Sequence, residues 1–271
     1  MGGFAISPSF NKMSSAKHPH ATGFRAMCVI TGVTRGIGRA LLTEFSLLGF
    51  KVFGCARTVQ DIGLLSHEYP QHGFAAVDIS KDEEVREWAE RILSDFGPPG
   101  ILLNNAAIFT PKTPVWQVAA ADFSAAMDTN VKGVVNTLRA FVPAMMDLPR
   151  GLIVNFSSRW GTRFQAGMAP YCVSKSAVLA LTRVLAEELR RSTLSVVALN
   201  PGVVRTQMLN EYLASYGEPA PNSCSPSEWA KYAVPRILAL GPPDSGKLRR
   251  IAPSQKHRAI THAARCLGGQ Q

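Results

Sequence analysis

The chain has 271 residues, 46% of them hydrophobic, and its formal net charge at pH 7 is +10. That length is enough for one large α/β domain or two small ones, and no apolar run is long enough to cross a membrane. The five cysteines are widely spaced and include no C-x-x-C pair, which argues against a disulfide framework and a metal site. We therefore expect a protein of a reducing compartment, the cytoplasm, that binds neither metal nor membrane.

The positive charge is concentrated at the two ends of the chain. Residues 1–26 hold three basic residues, residues 247–271 hold six, and neither segment has an acidic residue. The body between them is close to neutral, so the basic pI does not indicate a nucleic-acid-binding domain. We interpret residues 1–25 as a disordered basic extension and residues 252–271 as a basic tail. The alternative for residues 1–25 is a transit segment for a plastid or another organelle, because such segments are basic and poor in acidic residues.

The first structured stretch predicts a nucleotide site. Residues 26–30 form an apolar run, a Gly-rich turn follows at residues 31–38, and a helical pattern continues from Arg39 to Leu48. Glycines let the backbone approach a pyrophosphate, and the helix N-terminus offers free N–H groups and a positive dipole end. The candidate cofactor contacts in this turn are Gly32, Arg35, Gly36, Ile37 and Gly38.

The residue after the second strand, predicted at 51–55, selects between the two nicotinamide cofactors. An acidic side chain there would bind a ribose 2′-hydroxyl and select NAD. The chain instead has Arg57, with Arg35 in the Gly-rich turn. Two guanidinium groups and no carboxylate fit a 2′-phosphate, so we predict NADP(H). The alternative is that both arginines are solvated surface side chains.

Strand and helix patterns alternate along the rest of the chain. Further strands are predicted at 74–78, 101–105, 151–156, 195–199 and 247–251. Further helices are predicted at 80–94, 119–146 and 170–190, and from 225 onward. Capping boxes begin the helices at Ser80 and Ser225, and Pro235 is expected to bend or break the last one. The alternation predicts an α/β fold, a doubly wound, Rossmann-like parallel sheet of about seven strands, in a single domain over residues 26–251.

A tyrosine and a lysine share one face of the helix that Pro170 opens. Tyr171 and Lys175 are four residues apart, and a nearby cation would lower the phenol pKa from its ordinary value of about 10. Ser158 follows the apolar run at 152–156, at the end of a predicted strand where a site can form. Because Tyr-x-x-x-Lys is common by chance, the pair needs support from the other motifs.

Taken in order, the motifs resemble those of the short-chain dehydrogenase/reductase family over about residues 25 to 251. The resemblance is carried by Thr31-Gly-x-x-x-Gly-x-Gly38, Asp78, Asn104-Asn105-Ala106-Ala107, Asn130, Ser158, Tyr171-x-x-x-Lys175 and Asn200-Pro201-Gly202-x-x-x-Thr206. Each motif is modest, and their joint order and spacing are specific. Segments 127–133, 157–161 and 169–172 resemble the plant pterin-aldehyde reductase branch of that family.

The resemblance implies a catalytic tetrad. Tyr171 would exchange a proton with the substrate oxygen, and Lys175 would lower the pKa of Tyr171 and hold the nicotinamide ribose. Ser158 would hydrogen-bond the reacting oxygen, whereas its neighbour Ser157 would point away. Asn130 would brace a water molecule that relays protons.

The resemblance also implies further cofactor contacts. Asp78 would contact the adenine and Asn105 would line the cofactor cleft. Val204 and Thr206 would hold the nicotinamide amide. It further implies a homodimer or homotetramer built from the helices at 119–146 and 170–190.

The expected pocket wall is rich in aromatic and basic side chains. Its members would be Arg159, Trp160, Arg163, Phe164, Gln165, Met168, Met208, Tyr212 and Tyr216. Such a wall suits a flat, polar substrate better than a long acyl chain. The alternative is that these aromatics anchor loops. The segment 207–225 is short, which predicts an open pocket.

The sequence therefore predicts an NADPH-dependent reductase that converts a small aldehyde or ketone to an alcohol, with a pterin aldehyde as one candidate substrate. A second hypothesis is an NADP(H)-binding sensor or scaffold without turnover. A third is binding to nucleic acid or a membrane surface through the basic ends. That one ranks last, because the ends lack interleaved aromatics and a clear amphipathic pattern.

Overall fold

A computed structural model describes residues 23–217 and 223–253 of the chain. Seven parallel strands form one sheet in the order β3-β2-β1-β4-β5-β6-β7. The strands are β1 (Met27–Thr31), β2 (Lys51–Ala56), β3 (Gly73–Ala76), β4 (Ile101–Asn104), β5 (Gly151–Phe156), β6 (Leu194–Asn200) and β7 (Leu248–Arg250). The predicted seven-stranded, doubly wound α/β sheet is confirmed. The basic extension and tail fall almost wholly outside the described residues.

Eight α-helices accompany the strands in the described part of the chain. They are α1 (Gly36–Leu47), α2 (Val59–Glu68), α3 (Asp82–Phe96), α4 (Ala120–Met127), α5 (Gly133–Met145), α6 (Ala169–Glu188), α7 (Gln207–Tyr216) and α8 (Pro226–Leu238). A π-helical turn, Asp128–Lys132, joins α4 to α5. Within these residues, none of the helices combines the length and the apolar character that crossing a bilayer requires.

Helices cover both faces of the sheet, and successive strand residues alternate between them. Ile30 in β1 packs in the layer of α1, α2 and α8, whereas its neighbour Val29 packs in the layer of α3, α5 and α6. Because both faces are covered, all of β1, β4, β5 and β6 is buried. The continuous apolar runs in the sequence follow from this arrangement.

Two helix predictions differ from the structure. The capping box at Ser80 is wrong: the Ser80 hydroxyl donates to Asp78 Oδ1 at 2.8 Å, and α3 begins only at Asp82. The Asp78 carboxylate competes successfully for that hydroxyl in a local turn. The predicted break at Pro235 does not occur, because α8 continues through it to Leu238, and a bend there stays a prediction. Burial of the α8 face that contacts α1 outweighs the one backbone hydrogen bond that proline removes.

Two helices have no counterpart in the sequence prediction. Helix α2 buries only Ile62 and Leu65, and α7 has no fully buried side chain. Weak burial leaves a weak apolar period, so neither stretch has a clear helical signal. The capping box at Ser225 is present, with Glu228 as its partner.

Candidate active site

The candidate residues gather at the carboxyl ends of the central strands. The Gly-rich turn follows β1, Asn105 follows β4, Ser158 lies two residues after β5, and the segment with Val204 follows β6. The strand order reverses between β1 and β4. Ligands of open α/β sheets bind at such a reversal point, outside the carboxyl ends of the strands.

The Gly-rich turn requires glycine at specific positions. Gly32 and Gly36 have φ angles of +69° and +58°, in the left-handed region. A Cβ on Gly38 would lie 2.0 Å from the carbonyl oxygen of Gly32. The Asn105 side chain donates hydrogen bonds to the carbonyl oxygens of Thr31 and Gly32, at 2.9 and 3.1 Å. Asn105 therefore braces the Gly-rich turn, beside the cofactor cleft that it is predicted to line.

The turn leaves the N-terminus of α1 able to accept an anion. Arg35 is the N-cap residue, its side chain makes no capping hydrogen bond, and the first turn has no acidic residue. The free N–H groups and the helix dipole fit a pyrophosphate.

The two arginines predicted to bind a 2′-phosphate lie at different places in the structure. The Arg35 side chain donates to Gln207 Oε1 of α7 at 2.5 Å, and Arg57 is exposed after β2. The predicted pairing of the two arginines on a 2′-phosphate stays a prediction.

The remaining cofactor candidates are held by local contacts. Asp78 Oδ1 accepts from the backbone N–H and the hydroxyl of Ser80. The side chain of Val204 is buried in the core beside α8, so only its backbone is free to hold an amide. Thr206 is the N-cap of α7, where its Oγ1 accepts from Leu209 N at 3.3 Å.

Tyr171, Lys175 and Ser158 meet at the start of α6. Lys175 is 3% exposed, its Nζ donates to the carbonyl oxygen of Phe156 at 2.9 Å, and that nitrogen lies 5.6 Å from the centre of the Tyr171 ring. Ser158 is close enough to the Tyr171 phenol to lower its pKa. The hydroxyl of Ser157 donates to the carbonyl oxygen of Lys175 at 3.1 Å, away from the phenol.

Burial sets the pKa values of both groups. It raises the pKa of Tyr171 to about 12, against the opposing effect of the nearby Ser158 hydroxyl. It lowers the pKa of Lys175 to about 8. The expected net lowering of the Tyr171 pKa is not found, because desolvation of the phenol outweighs the opposing effects.

Asn130 connects the π-helical turn to the tyrosine helix. Its Oδ1 accepts from Ile108 N at 2.8 Å, and its Nδ2 donates to Ile108 O and to Ser174 Oγ, both at 3.0 Å. Ser174 Oγ donates in turn to the carbonyl oxygen of Tyr171 at 2.8 Å. Sequence reasoning missed Ser174. The sequence feature that could have identified Ser174 is a polar residue on the buried face of an amphipathic helix.

Sequence reasoning also missed Phe109. Its ring centre lies 5.6 Å from that of Tyr171 and 6.0 Å from that of Tyr212, both edge-to-face. The available signal was an aromatic residue four positions after the paired asparagines. In residues 23–217 and 223–253, no group of three or more His, Cys, Asp or Glu side chains could hold a metal ion.

The chain is similar in sequence to known proteins. The chain matches the profile of the short chain dehydrogenase family over residues 26–217. It is 41% identical over 221 residues to an NADPH-dependent pterin aldehyde reductase of Arabidopsis thaliana, covering 80% of this chain and 90% of that protein. It is 31% identical over 183 residues to the 3-oxoacyl-[acyl-carrier-protein] reductase FabG of Haemophilus influenzae, covering 67% and 75% of the two chains.

A solved structure extends the likeness to the fold. The 3-ketoacyl-(acyl-carrier-protein) reductase from Brucella melitensis, complexed with NADH, superimposes with a TM-score of 0.74 at 27% identity. The likeness covers 83% of this chain and 96% of that one. These relatives are all named as reductases, and none favours a sensor without turnover. The chain is an oxidoreductase that belongs to the short-chain dehydrogenase family.

Proposed function

We propose that this protein reduces an aldehyde to an alcohol with NADPH, and that a pterin aldehyde is its substrate. The observation that carries the proposal is the position of Lys175 Nζ beside the Tyr171 ring, with Ser158 close enough to the phenol to lower its pKa. Two hydroxyls at one point can orient a carbonyl oxygen and protonate it. The Arabidopsis relative, named for a pterin aldehyde, supports the substrate.

The protonation states favour reduction. The nicotinamide cofactor, when bound, supplies the hydride. Tyr171, with its pKa raised to about 12, is protonated at neutral pH and is ready to give its proton to the carbonyl oxygen as negative charge develops there. Ser158 orients that oxygen by a second hydrogen bond. Lys175, fixed by Phe156, places a positive charge beside the phenolate that remains.

The cofactor preference follows from Arg57 and Arg35. Neither β2 nor the residues directly after it offer a carboxylate for a ribose 2′-hydroxyl, and both arginines can reach solvent. We expect Arg57→Ala to raise the KM for NADPH about tenfold and leave the KM for NADH unchanged, because only NADPH has the 2′-phosphate. Equal changes for both cofactors would remove this support for NADP(H).

The central test is NADPH oxidation with a pterin aldehyde, in wild type and Tyr171→Phe. The variant keeps the ring and loses the proton donor. We expect kcat/KM to fall by about 10²- to 10⁴-fold while NADPH binding, measured by fluorescence, is retained. Unchanged turnover in the variant would contradict the mechanism. Turnover of simple aldehydes but not of the pterin would contradict the substrate.

We also propose that α6 forms a homodimer interface. One face of α6 exposes Val173 (46%) and Val184 (55%), with small side chains at Ala177 and Ala180 between them. Small residues at this spacing let a second helix approach closely. The face borders an apolar groove of about 850 Å³, which a second copy of the chain would fill.

Light scattering tests the dimer proposal. We expect Ala180→Glu to give monomers, because it places a charge in the centre of the contact. Val59→Glu, at an exposed position of α2, is the matched control and should leave the assembly intact. A wild-type monomer, or a dimer that survives Ala180→Glu, would contradict this interface.

A further inference from the structure

Aromatic rings form a continuous row that leads away from Tyr171. Phe109 lies 5.6 Å from Tyr171 and 6.0 Å from Tyr212 between ring centres, both edge-to-face. Tyr212 stacks on Tyr216 at 4.8 Å. The row joins the segment after β4, the start of α6 and the helix α7. All four rings are only partly buried, so they have surface to offer a ligand.

The outer end of the row is fixed to the protein. The Tyr216 hydroxyl donates to the carbonyl oxygen of Ala166 at 2.8 Å, and Lys112 Nζ lies 4.7 Å from the centre of the Tyr216 ring. Thr113 N donates to Gly167 O at 3.0 Å. These contacts hold α7 against the neighbouring loops. The rings therefore form a preformed wall, which costs little conformational entropy when a ligand binds.

The position of Phe109 determines what it would contact. Phe109 is the ring of the row that contacts Tyr171, so the carbon substituent of a carbonyl held by Ser158 and Tyr171 would lie within its reach. A flat ring can lie offset-stacked or edge-to-face on this wall, whereas a puckered saturated ring keeps its hydrogens between the two surfaces. The wall thus distinguishes planar from non-planar groups at the carbonyl carbon.

We propose that Phe109 and Tyr212 determine substrate specificity by selecting a flat aromatic or heteroaromatic ring bonded to the reacting carbonyl carbon. This inference rests on the proposed reductase function. It adds two residues that read the planarity of the substrate. Tyr171 and Ser158 act on the carbonyl itself and do not distinguish its substituents.

The test compares benzaldehyde with cyclohexanecarbaldehyde, which are matched in carbon number and differ in planarity. For each protein, kcat/KM for benzaldehyde is divided by kcat/KM for cyclohexanecarbaldehyde. The ratio of each variant is then divided by the wild-type ratio, which cancels the intrinsic reactivity of the two aldehydes. We expect Phe109→Leu to lower this ratio about fivefold, mainly through the KM for benzaldehyde. Tyr212→Leu should act in the same direction. Phe96→Leu, at the distant end of α3, should leave the ratio unchanged.

Equal losses for both aldehydes in Phe109→Leu would overturn the proposal, because Phe109 would then only position Tyr171. Binding by calorimetry supplies a readout that needs no turnover. Wild type loaded with NADPH should bind benzamide more tightly than cyclohexanecarboxamide, and Phe109→Leu should remove the difference. If the protein preferred benzamide but turned over neither aldehyde, only the proposed reductase function would be overturned. If the two amides bound equally, the proposed selection of flat rings by the aromatic wall would be overturned.

Discussion

Lys175 Nζ donates a 2.9 Å hydrogen bond to the carbonyl oxygen of Phe156, the last residue of β5. This bond joins α6 to the strand that precedes Ser158. It thereby fixes Tyr171, one helical turn earlier, beside the serine hydroxyl. The same burial that makes the bond strong disfavours the charge, which lowers the pKa of the lysine to about 8.

The lowered pKa predicts how stability changes with pH. The Lys175 pKa is about 8 in the folded chain against an ordinary value of 10.5. Between these values the unfolded chain binds more protons, so the free energy of unfolding rises with pH, by up to about 1.4 kcal/mol per unit. Lys175→Met removes this contribution. In denaturant unfolding from pH 7 to 10, the free energy of unfolding of wild type should rise relative to that of the variant above pH 8. Parallel stability profiles would contradict the lowered pKa.

Ser174 gives a second prediction, on catalysis. Its hydroxyl connects Tyr171 O to Asn130, so it positions the tyrosine helix on the π-helical turn. We expect Ser174→Ala to lower kcat about tenfold, with the KM for NADPH unchanged, because a small misplacement at the reacting atoms is costly. Ser66→Ala removes a comparable hydroxyl-to-carbonyl bond within α2 and is the control. A loss of stability without a loss of kcat would make Ser174 purely structural.

The parts of the site that the sequence predicts correctly are those determined by residues close together in the chain. Strand runs, the Gly-rich turn and the spacing of Tyr171 and Lys175 depend on neighbouring residues, and the structure has each of them. The pKa direction of Tyr171 depends on burial by distant segments, which spacing does not show. Phe109 was missed for the same reason. Its contact with Tyr212 of α7 joins residues 103 positions apart, and α7 has no fully buried face to predict it.

A buried polar chain beneath the site predicts a stability effect. Asn104 Nδ2 donates to Asn155 Oδ1 at 2.8 Å, and Asn155 Nδ2 donates to Thr182 Oγ1 at 3.0 Å. Thr182→Val keeps the shape and leaves the Asn155 N–H without its acceptor. We expect a loss of about 1–3 kcal/mol in the free energy of unfolding. Thr162→Val, at an exposed threonine that also bonds a carbonyl, should change it by less than about 0.5 kcal/mol. Equal losses in the two variants would contradict the importance of the chain.

Two glycine-to-alanine substitutions should have opposite effects. A Cβ at Gly38 would lie 2.0 Å from Gly32 O and 2.6 Å from Asn105 Nδ2, so the turn must move. Overpacking of this kind costs about 1–3 kcal/mol. Because the displaced backbone is the proposed pyrophosphate site, we expect NADPH affinity to fall by about ten- to a hundredfold.

Gly63 is the matched control, since it lies inside α2 with nothing within 4 Å of its added Cβ. Gly63→Ala should raise the free energy of unfolding by about 0.5–1 kcal/mol, because alanine loses less backbone freedom on forming a helix. NADPH affinity in Gly63→Ala should equal that of wild type in a fluorescence titration. If Gly38→Ala also bound NADPH like wild type, the close contact between Gly38 and Gly32 would not be a requirement of the cofactor site.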